Sequence, residues 1–210
     1  MTLRLNGVNS GFTEVKAPAT AGSNTITLPT SNGSANQYLA NGSTAGELTF
    51  VTPPGSFTSY AIIADKKASN GDGGAVTSGA WRTRDLNTEI ADPDSIVSIS
   101  SNQFTLGAGS YLIEFRAPAY RVQAHQTRLY NATTSAEVEV GSSEFASTSS
   151  NAQTLSEGAA RVTITGNTNF EIQHRVNTSN SDGYALGIAA AGGQAWGSSI
   201  FTIVKIYKEA

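Results

Sequence analysis

The stretch Gln103-Phe104-Thr105-Leu106-Gly107-Ala108-Gly109-Ser110-Tyr111-Leu112-Ile113-Glu114-Phe115-Arg116 decides how this chain is read. Tyr111, Ile113 and Phe115 share one face of an extended segment, and Leu112, Glu114 and Arg116 share the other, because side chains alternate along a strand. The glycine-rich step between residues 106 and 110 predicts a turn, so the whole reads as a β-hairpin. Working outward, short segments of the same kind recur at residues 60–64, 81–86, 95–100, 126–130, 137–140, 159–165, 170–176 and 200–207. Turn residues 131–135 split one pair, and residues 166–169 read as another hairpin turn. No long stretch places apolar residues at i, i+3, i+4 and i+7, so helices are not expected. The fold class expected is all-β. An extended N-terminal β segment is followed by a two-sheet antiparallel jelly roll, for which eight to ten short strands is the right order of number.

Two strands say more. Phe170, Ile172 and His174 share one face, while Glu171, Gln173 and Arg175 share the other. The closing strand is apolar on both faces. Ile200, Val204 and Ile206 lie on one side, with Thr202 among them. Phe201, Ile203 and Tyr207 lie on the other, interrupted by Lys205. A strand apolar on both faces is normally covered on both faces. A lone sandwich leaves one face of each sheet to water, so a second subunit is expected to cover this one.

Composition bounds the function. Charged residues are 14% of the 210, and Ser, Thr and Asn together number 64, so the surface is polar but weakly charged. The net charge of −3 and the lack of a basic cluster argue against nucleic acid as a partner. No apolar run approaches the roughly 18 residues of a membrane span, and no secretory signal is expected at the first residues. The chain has no Cys, which removes disulfides, thiolate metal sites and a Cys nucleophile.

The composition shifts at residues 51–59, where Pro53, Pro54 and Gly55 read as a linker. Residues 60–210 are then the globular head. Residues 1–50 carry only Arg4, Glu14, Lys16 and Glu47 as charges, and hold a weak internal echo. Asn6-Gly7-x-x-x-Gly11 leads into residues 12–15, and Asn41-Gly42-x-x-x-Gly46 into residues 47–50. A strand is also expected at residues 24–29. So little apolar mass is not expected to build a core alone, so this segment is expected to share one with other copies or a larger partner.

On these residues the chain resembles known families. The run Phe104-x-Leu106-x-x-Gly109-x-Tyr111-x-Ile113-x-Phe115 resembles the tumour necrosis factor/C1q-like jelly roll, and residues 200–207 fit its final strand. That resemblance implies a threefold symmetric trimer. Residues 28–50, with a Leu-Pro strand, an Asn-Gly turn, Gln37-x-Leu39 and a Gly-rich hairpin, are similar to a segment of phage tail fibres, especially virion proteins of marine cyanophages. Residues 78–120, including Gly79-Ala80-Trp81-Arg82-Thr83-Arg84-Asp85, are similar to the C-terminal domain of such proteins. Phe50 stands where those fibres often have Trp, and the chain is short for a complete tail fibre, which leaves a capsid decoration or head-fibre protein as the alternative.

Catalytic constellations are weak. His174 is in phase with Phe170 and Ile172 and is expected inside the sandwich. His125, within the polar residues 121–128, is expected at the surface or an interface. No Gly-x-Ser-x-Gly elbow accompanies the serines. Asp85 with Glu89, or Asp92 with Asp94, offer carboxylate pairs of the kind glycosidases use, but such pairs arise by chance on loops. Residues 70–74 could offer oxygen ligands to Ca²⁺, but lack the later bidentate Glu of an EF-hand, and read as a loop. Gly192-Gly193 precede no Lys-Ser/Thr, so no phosphate loop is expected. No enzyme, cofactor or metal site is expected, with a carbohydrate-active enzyme as the remote alternative.

The expectation for function is therefore a structural virion protein, on tail or capsid exterior. It is a homotrimer docked through residues 1–50 onto another virion protein, and it adheres to a host-surface glycan or protein. Glu114, Arg116, Glu171, Arg175 and Lys205 read either as solvated outer faces or as charges that pair across subunits near a threefold axis. With Phe201, Ile203 and Tyr207 they form the candidate trimer interface. Tyr120, Tyr184 and Trp196, on loops 117–126 and 177–198, are the candidate surface contacts.

Overall fold

The computed structural model describes residues 3–6, 8–15, 18–20, 22–23, 25–53, 57–190 and 196–210. It divides into two compact units, Met1–Pro54 and Gly55–Ala210. The expected linker residues 54–56, the Gly7 turn residue and Gly192-Gly193 lie outside the described residues.

The first unit holds two antiparallel hairpins. β1 (Leu3–Asn6) pairs with β2 (Phe12–Val15), and β3 (Tyr38–Asn41) with β4 (Leu48–Val51). Gly46, in the turn before β4, has φ +85°, and a side chain there would strike the Thr25 carbonyl oxygen. The strand expected at residues 24–29 is reduced to one parallel bridge, Thr27 to Glu47. None of the described residues of this unit is buried, and Leu5, Phe12, Val15, Ile26, Leu28, Tyr38 and Leu39 are all exposed.

The second unit runs β5 (Phe57–Ser69), β6 (Arg82–Thr83), β7 (Thr88–Ala91), β8 (Val97–Ser100), β9 (Gln103–Leu106), β10 (Gly109–Tyr120), β11 (Gln123–Asn131), β12 (Ala136–Val140), β13 (Glu144–Ala146), β14 (Gln153–Ile164), β15 (Thr168–Val176) and β16 (Ser198–Glu209). One sheet has the order β14-β10-β16-β5-β7. The other has β12-β11-β15-β9-β8, with β13 added to β11 and β6 to β15. The main antiparallel pairs are nested: β5 with β16, β9 with β15, β10 with β14, β11 with β12. First pairs with last and the pairing continues inward, and the chain crosses between sheets at eight of its eleven steps. That is a jelly roll.

This connectivity corrects two expectations. β9 and β10 do not form a hairpin, and neither do β14 and β15, because the members of each pair belong to opposite sheets. At Gly107–Gly109 the chain passes from one sheet to the other, with Gly109 at φ +151°. Strands facing each other across a sandwich carry the same alternation as strands side by side, so the residue pattern does not separate the two. β11 and β12, split by the expected turn residues 131–135, pair as a hairpin, with Leu129 opposite Glu139. The strand expected at residues 81–86 shrinks to two residues, after which the Arg84 amide donates to the Ile172 carbonyl (2.8 Å) and the chain turns inward.

The inward phases are those read from the sequence except at Ile200, which is exposed where the β16 register is irregular. Tyr111, Ile113, Phe115, Phe170 and Ile172 are buried, together with Ile63, Phe104, Leu106, Leu129, Val204 and Ile206. Phe104 and Phe170 stack with centroids 5.6 Å apart. Burial of each such side chain contributes about 1.5–3 kcal/mol, and this layer holds the two sheets together.

Candidate functional site

The β10–β16 register builds the outer face of the five-stranded sheet. It sets Glu114 opposite Lys205, Arg116 opposite Ile203, and Leu112 opposite Tyr207. On the far side of β10, Glu157 of β14 stands opposite Arg116. Lys205 Nζ lies 3.6 Å from Glu114 Oε2, with both side chains nearly half exposed. Glu114, Arg116, Glu157, Ala159, Ile203 and Lys205 line an open cavity of about 530 Å³. Beside it the Tyr207 ring packs 5.0 Å from Phe57, and Tyr207 is opposite the exposed Tyr60. Charge and apolar surface therefore alternate across one sheet face.

Five of the eight candidate interface residues come together there. The other three do not. Phe201 is buried, and its ring packs against Gly187 so closely that a methyl group on that glycine would overlap it, with Pro118 alongside. The second apolar face of β16 is thus covered within the chain at Phe201, while Ile203 and Tyr207 stay half-buried. Glu171 and Arg175 belong to the opposite sheet. Glu171 is buried, accepting from Gln103 Nε2 (3.1 Å) and from Gln173, and Arg175 is exposed.

Of the surface aromatics, Trp196 is 73% exposed. Tyr184 is half-buried and donates to Asp182 Oδ2 (2.5 Å). Tyr120 does not meet solvent as expected. It is buried, donates to Asn151 Oδ1 (2.9 Å) and packs edge-on against Tyr184, because the end of β10 turns it under the 184–188 segment.

His174 is fully buried, as its phase requires. His125 is also buried within the chain, which corrects its expected position at the surface or an interface. It alternates with Thr127 and Leu129, both inward on β11, and that phase was present in the sequence but masked by the polar residues around it. The register brings the two histidines together from 49 positions apart, with His125 Nδ1 3.0 Å from His174 Nε2 and His125 Nε2 2.7 Å from Thr154 Oγ1. Arg84, which the sequence reading did not single out, is buried near them. It donates from Nε to Thr202 Oγ1 (2.9 Å) and from its Nη atoms to the carbonyls of Leu186 (2.7 Å) and Pro118 (3.4 Å). Burial lowers its pKa to about 10, against the pull of Asp65 and Asp85, so it remains charged at neutral pH. Burial also holds both histidines neutral, His125 at about 4 and His174 well below its ordinary value, with Arg84 adding to the effect in each.

Of the candidate carboxylate pairs, Asp85, Asp92 and Asp94 are engaged in holding the fold, while Glu89 is exposed on β7. Asp85 pairs with Lys67 (2.5 Å), which also reaches the buried Asp65 (3.0 Å). Asp92 accepts from the amides of Ile96 and Val97, and Asp94 from Ser59. In the 70–74 loop Asp72 accepts from the Ala189 amide (2.7 Å). Among the described residues no group of three or more His, Cys, Asp or Glu side chains is placed to hold a metal.

No family model matches the chain, and no curated protein matches it. Solved structures similar to it include the globular domain of zebrafish complement 1qA protein, at 12% identity and TM-score 0.44, covering 72% of this chain and 97% of that one. Another is Eiger TNF from S. frugiperda, at 8% identity and TM-score 0.48, covering 74% and 94%. A third is murine APRIL at pH 5.0, at 8% identity and TM-score 0.46, covering 71% and 98%.

Proposed function

We propose that this chain is a structural protein of a phage virion, a homotrimeric tail fibre whose jelly-roll heads adhere to the host surface. The observation that carries the trimer is the outer face of the five-stranded sheet. Ile203 and Tyr207 are half-buried and Tyr60 is exposed, while Glu114, Arg116, Glu157 and Lys205 ring an open cavity between them. Apolar surface framed by both signs of charge suits a second copy of the same face. Residues 1–50 dock the trimer onto another virion protein. Their exposed Leu5, Phe12, Val15, Ile26 and Leu28, with few charges, form apolar surface of the kind that marks an interaction site. The phage assignment itself rests on the resemblance of residues 28–50 and 78–120. Three identical heads multiply a weak contact into avidity.

Light scattering of the purified chain tests the assembly. A mass of about 65 kDa, three times 21.8 kDa, is expected, and a mass near 22 kDa refutes the trimer. Immunogold labelling of virions tests the position. Label on tails is expected, and label spread over capsids replaces the tail fibre by a capsid decoration protein.

A further inference from the structure

Trp81, Arg175 and Gln126 form a row across the outer face of the second sheet. β15 sets Arg175 opposite Gln126, and β6 sets Arg82 opposite His174, so the next step of that register brings Trp81 beside Arg175. Gly79, at φ +91°, supplies the left-handed turn that leads into Trp81, and the Ser78 amide is anchored to Ser179 Oγ (2.9 Å). With Ser143, Glu144 and Asn177 these residues line a groove of about 470 Å³, a size suited to a small ligand.

One arginine behind Trp81 is engaged, and the arginine lining the groove, Arg175, is not. Arg128 lies 4.3 Å over the Trp81 ring and is itself fixed by Gln173 Oε1 (2.8 Å) and Glu137 Oε2 (2.9 Å), so it holds the indole in place. Arg175 is exposed, and among the described residues its side chain makes no hydrogen bond or ion pair. The Trp81 indole N–H and the side chains of Ser143 and Asn177 make none either. An unpaired guanidinium is a forked donor matched to a carboxylate. A fixed indole offers an apolar surface with one donor at its edge. Amide, hydroxyl and carboxylate groups around them match sugar hydroxyls, which both donate and accept. Glu144 in the same groove disfavours a multiply charged phosphate.

We propose that this groove binds an acidic sugar residue, with its carboxylate on Arg175, its ring against Trp81, and its hydroxyls on Gln126, Glu144, Ser143 and Asn177. The proposal deepens the adhesion reading and rests on it for where such a sugar is met. Uronic and sialic acids share the required chemistry.

The test is titration of the full chain carrying Trp196→Phe, which leaves Trp81 as the sole indole, with a hyaluronan tetrasaccharide, 3′-sialyllactose and maltotriose, read by tryptophan fluorescence. Saturable change with at least one acidic saccharide is expected, and which one responds identifies the acid. Maltotriose is expected to bind at least tenfold more weakly. Arg175→Gln, at an exposed position, is expected to weaken acidic binding at least tenfold, with an unchanged circular dichroism spectrum. No saturable change with either acidic saccharide, equal binding of maltotriose, or unchanged binding by Arg175→Gln each overturns the proposal. Adhesion of the labelled wild-type chain to host cells is measured alongside. Adhesion of the wild-type chain without any saturable saccharide binding refutes the groove and leaves the adhesion reading standing, whereas no adhesion together with saccharide binding lost in Arg175→Gln refutes the adhesion reading alone.

Discussion

His125 Nδ1 lies 3.0 Å from His174 Nε2 inside the jelly roll, and the two rings are 3% and 0% exposed. Their protons follow from the partners. His125 Nε2 faces Thr154 Oγ1, while His174 Nδ1 is buried with no hydrogen-bond partner. A buried bare acceptor is tolerated better than a buried orphan N–H. The favoured arrangement therefore puts the His174 proton on Nε2, donating to His125 Nδ1, and the His125 proton on Nε2, donating to Thr154.

Acid should unfold this domain through that pair. Protonated His174 would carry an unpartnered Nδ1–H beside the buried Arg84 charge, and protonated His125 would be relieved only by Glu144. Both folded-state pKa values are depressed, so the unfolded chain binds the protons first. Their contribution to stability is complete above about pH 6.5 and is lost as pH falls, for His125 down to about pH 4. Each histidine costs about 1.4 kcal/mol per pH unit in that window. Urea midpoints measured at pH 7 and pH 5 should fall steeply for the wild type. They should fall by about half as much for His125→Gln. An equal fall in that variant would remove the pair from the mechanism.

Arg84→Met should cost about 3 kcal/mol at pH 7, because the carbonyl of Leu186 and the hydroxyl of Thr202 lose their buried donor. It should also remove the nearby positive charge that helps hold His174 neutral. The folded-state pKa of His174 then rises toward its ordinary value, and the acid-induced loss below pH 6.5 becomes smaller than in the wild type. Chemical denaturation across pH separates this coupled effect from plain destabilisation, which would lower the curve without changing its slope.

Gly158 on β14 should not tolerate a side chain. A Cβ there would overlap the Phe115 ring, which is buried in the main core opposite it. Gly158→Val should destabilise the fold by about 1–3 kcal/mol through overpacking. Combining it with Phe115→Leu should recover part of the loss, which denaturation of the double variant would detect.

Local alternation made the strands and their buried faces legible. Tyr111, Ile113, Phe115, Phe170 and Ile172 point inward as their phases required. What alternation does not encode is which sheet the next strand joins, so β9 and β10 read as a hairpin although they lie in different layers. The same limit hid the polar interior. His125 and His174 are 49 positions apart, and Arg84 sits in a stretch that reads as an ordinary polar strand. Only register across three separate segments brings them together. On the five-stranded sheet the outward phase of Glu114 and Lys205 was legible, but their meeting comes from the β10–β16 register. Glu171 has the same outward phase but is buried under Gln103 and Gln173, which no spacing rule announces.

The Glu114–Lys205 pair separates folding from assembly. At 3.6 Å and nearly half exposed on both sides, it is an ion pair of the kind that contributes about 0–1 kcal/mol to a single chain. Reversing either charge should therefore change the stability of a single chain by no more than that, so any larger fall in urea midpoint reports lost assembly. In a trimer packed through this face the same groups are desolvated, and like charge there with no partner is strongly unfavourable. Glu114→Lys and Lys205→Glu alone should each shift the solution mass from about 65 kDa toward 22 kDa, while the double reversal should restore it. Single variants that keep the full trimer mass would place the interface elsewhere. Monomer for the double reversal as well as the singles would mean that these positions matter for shape and not for charge.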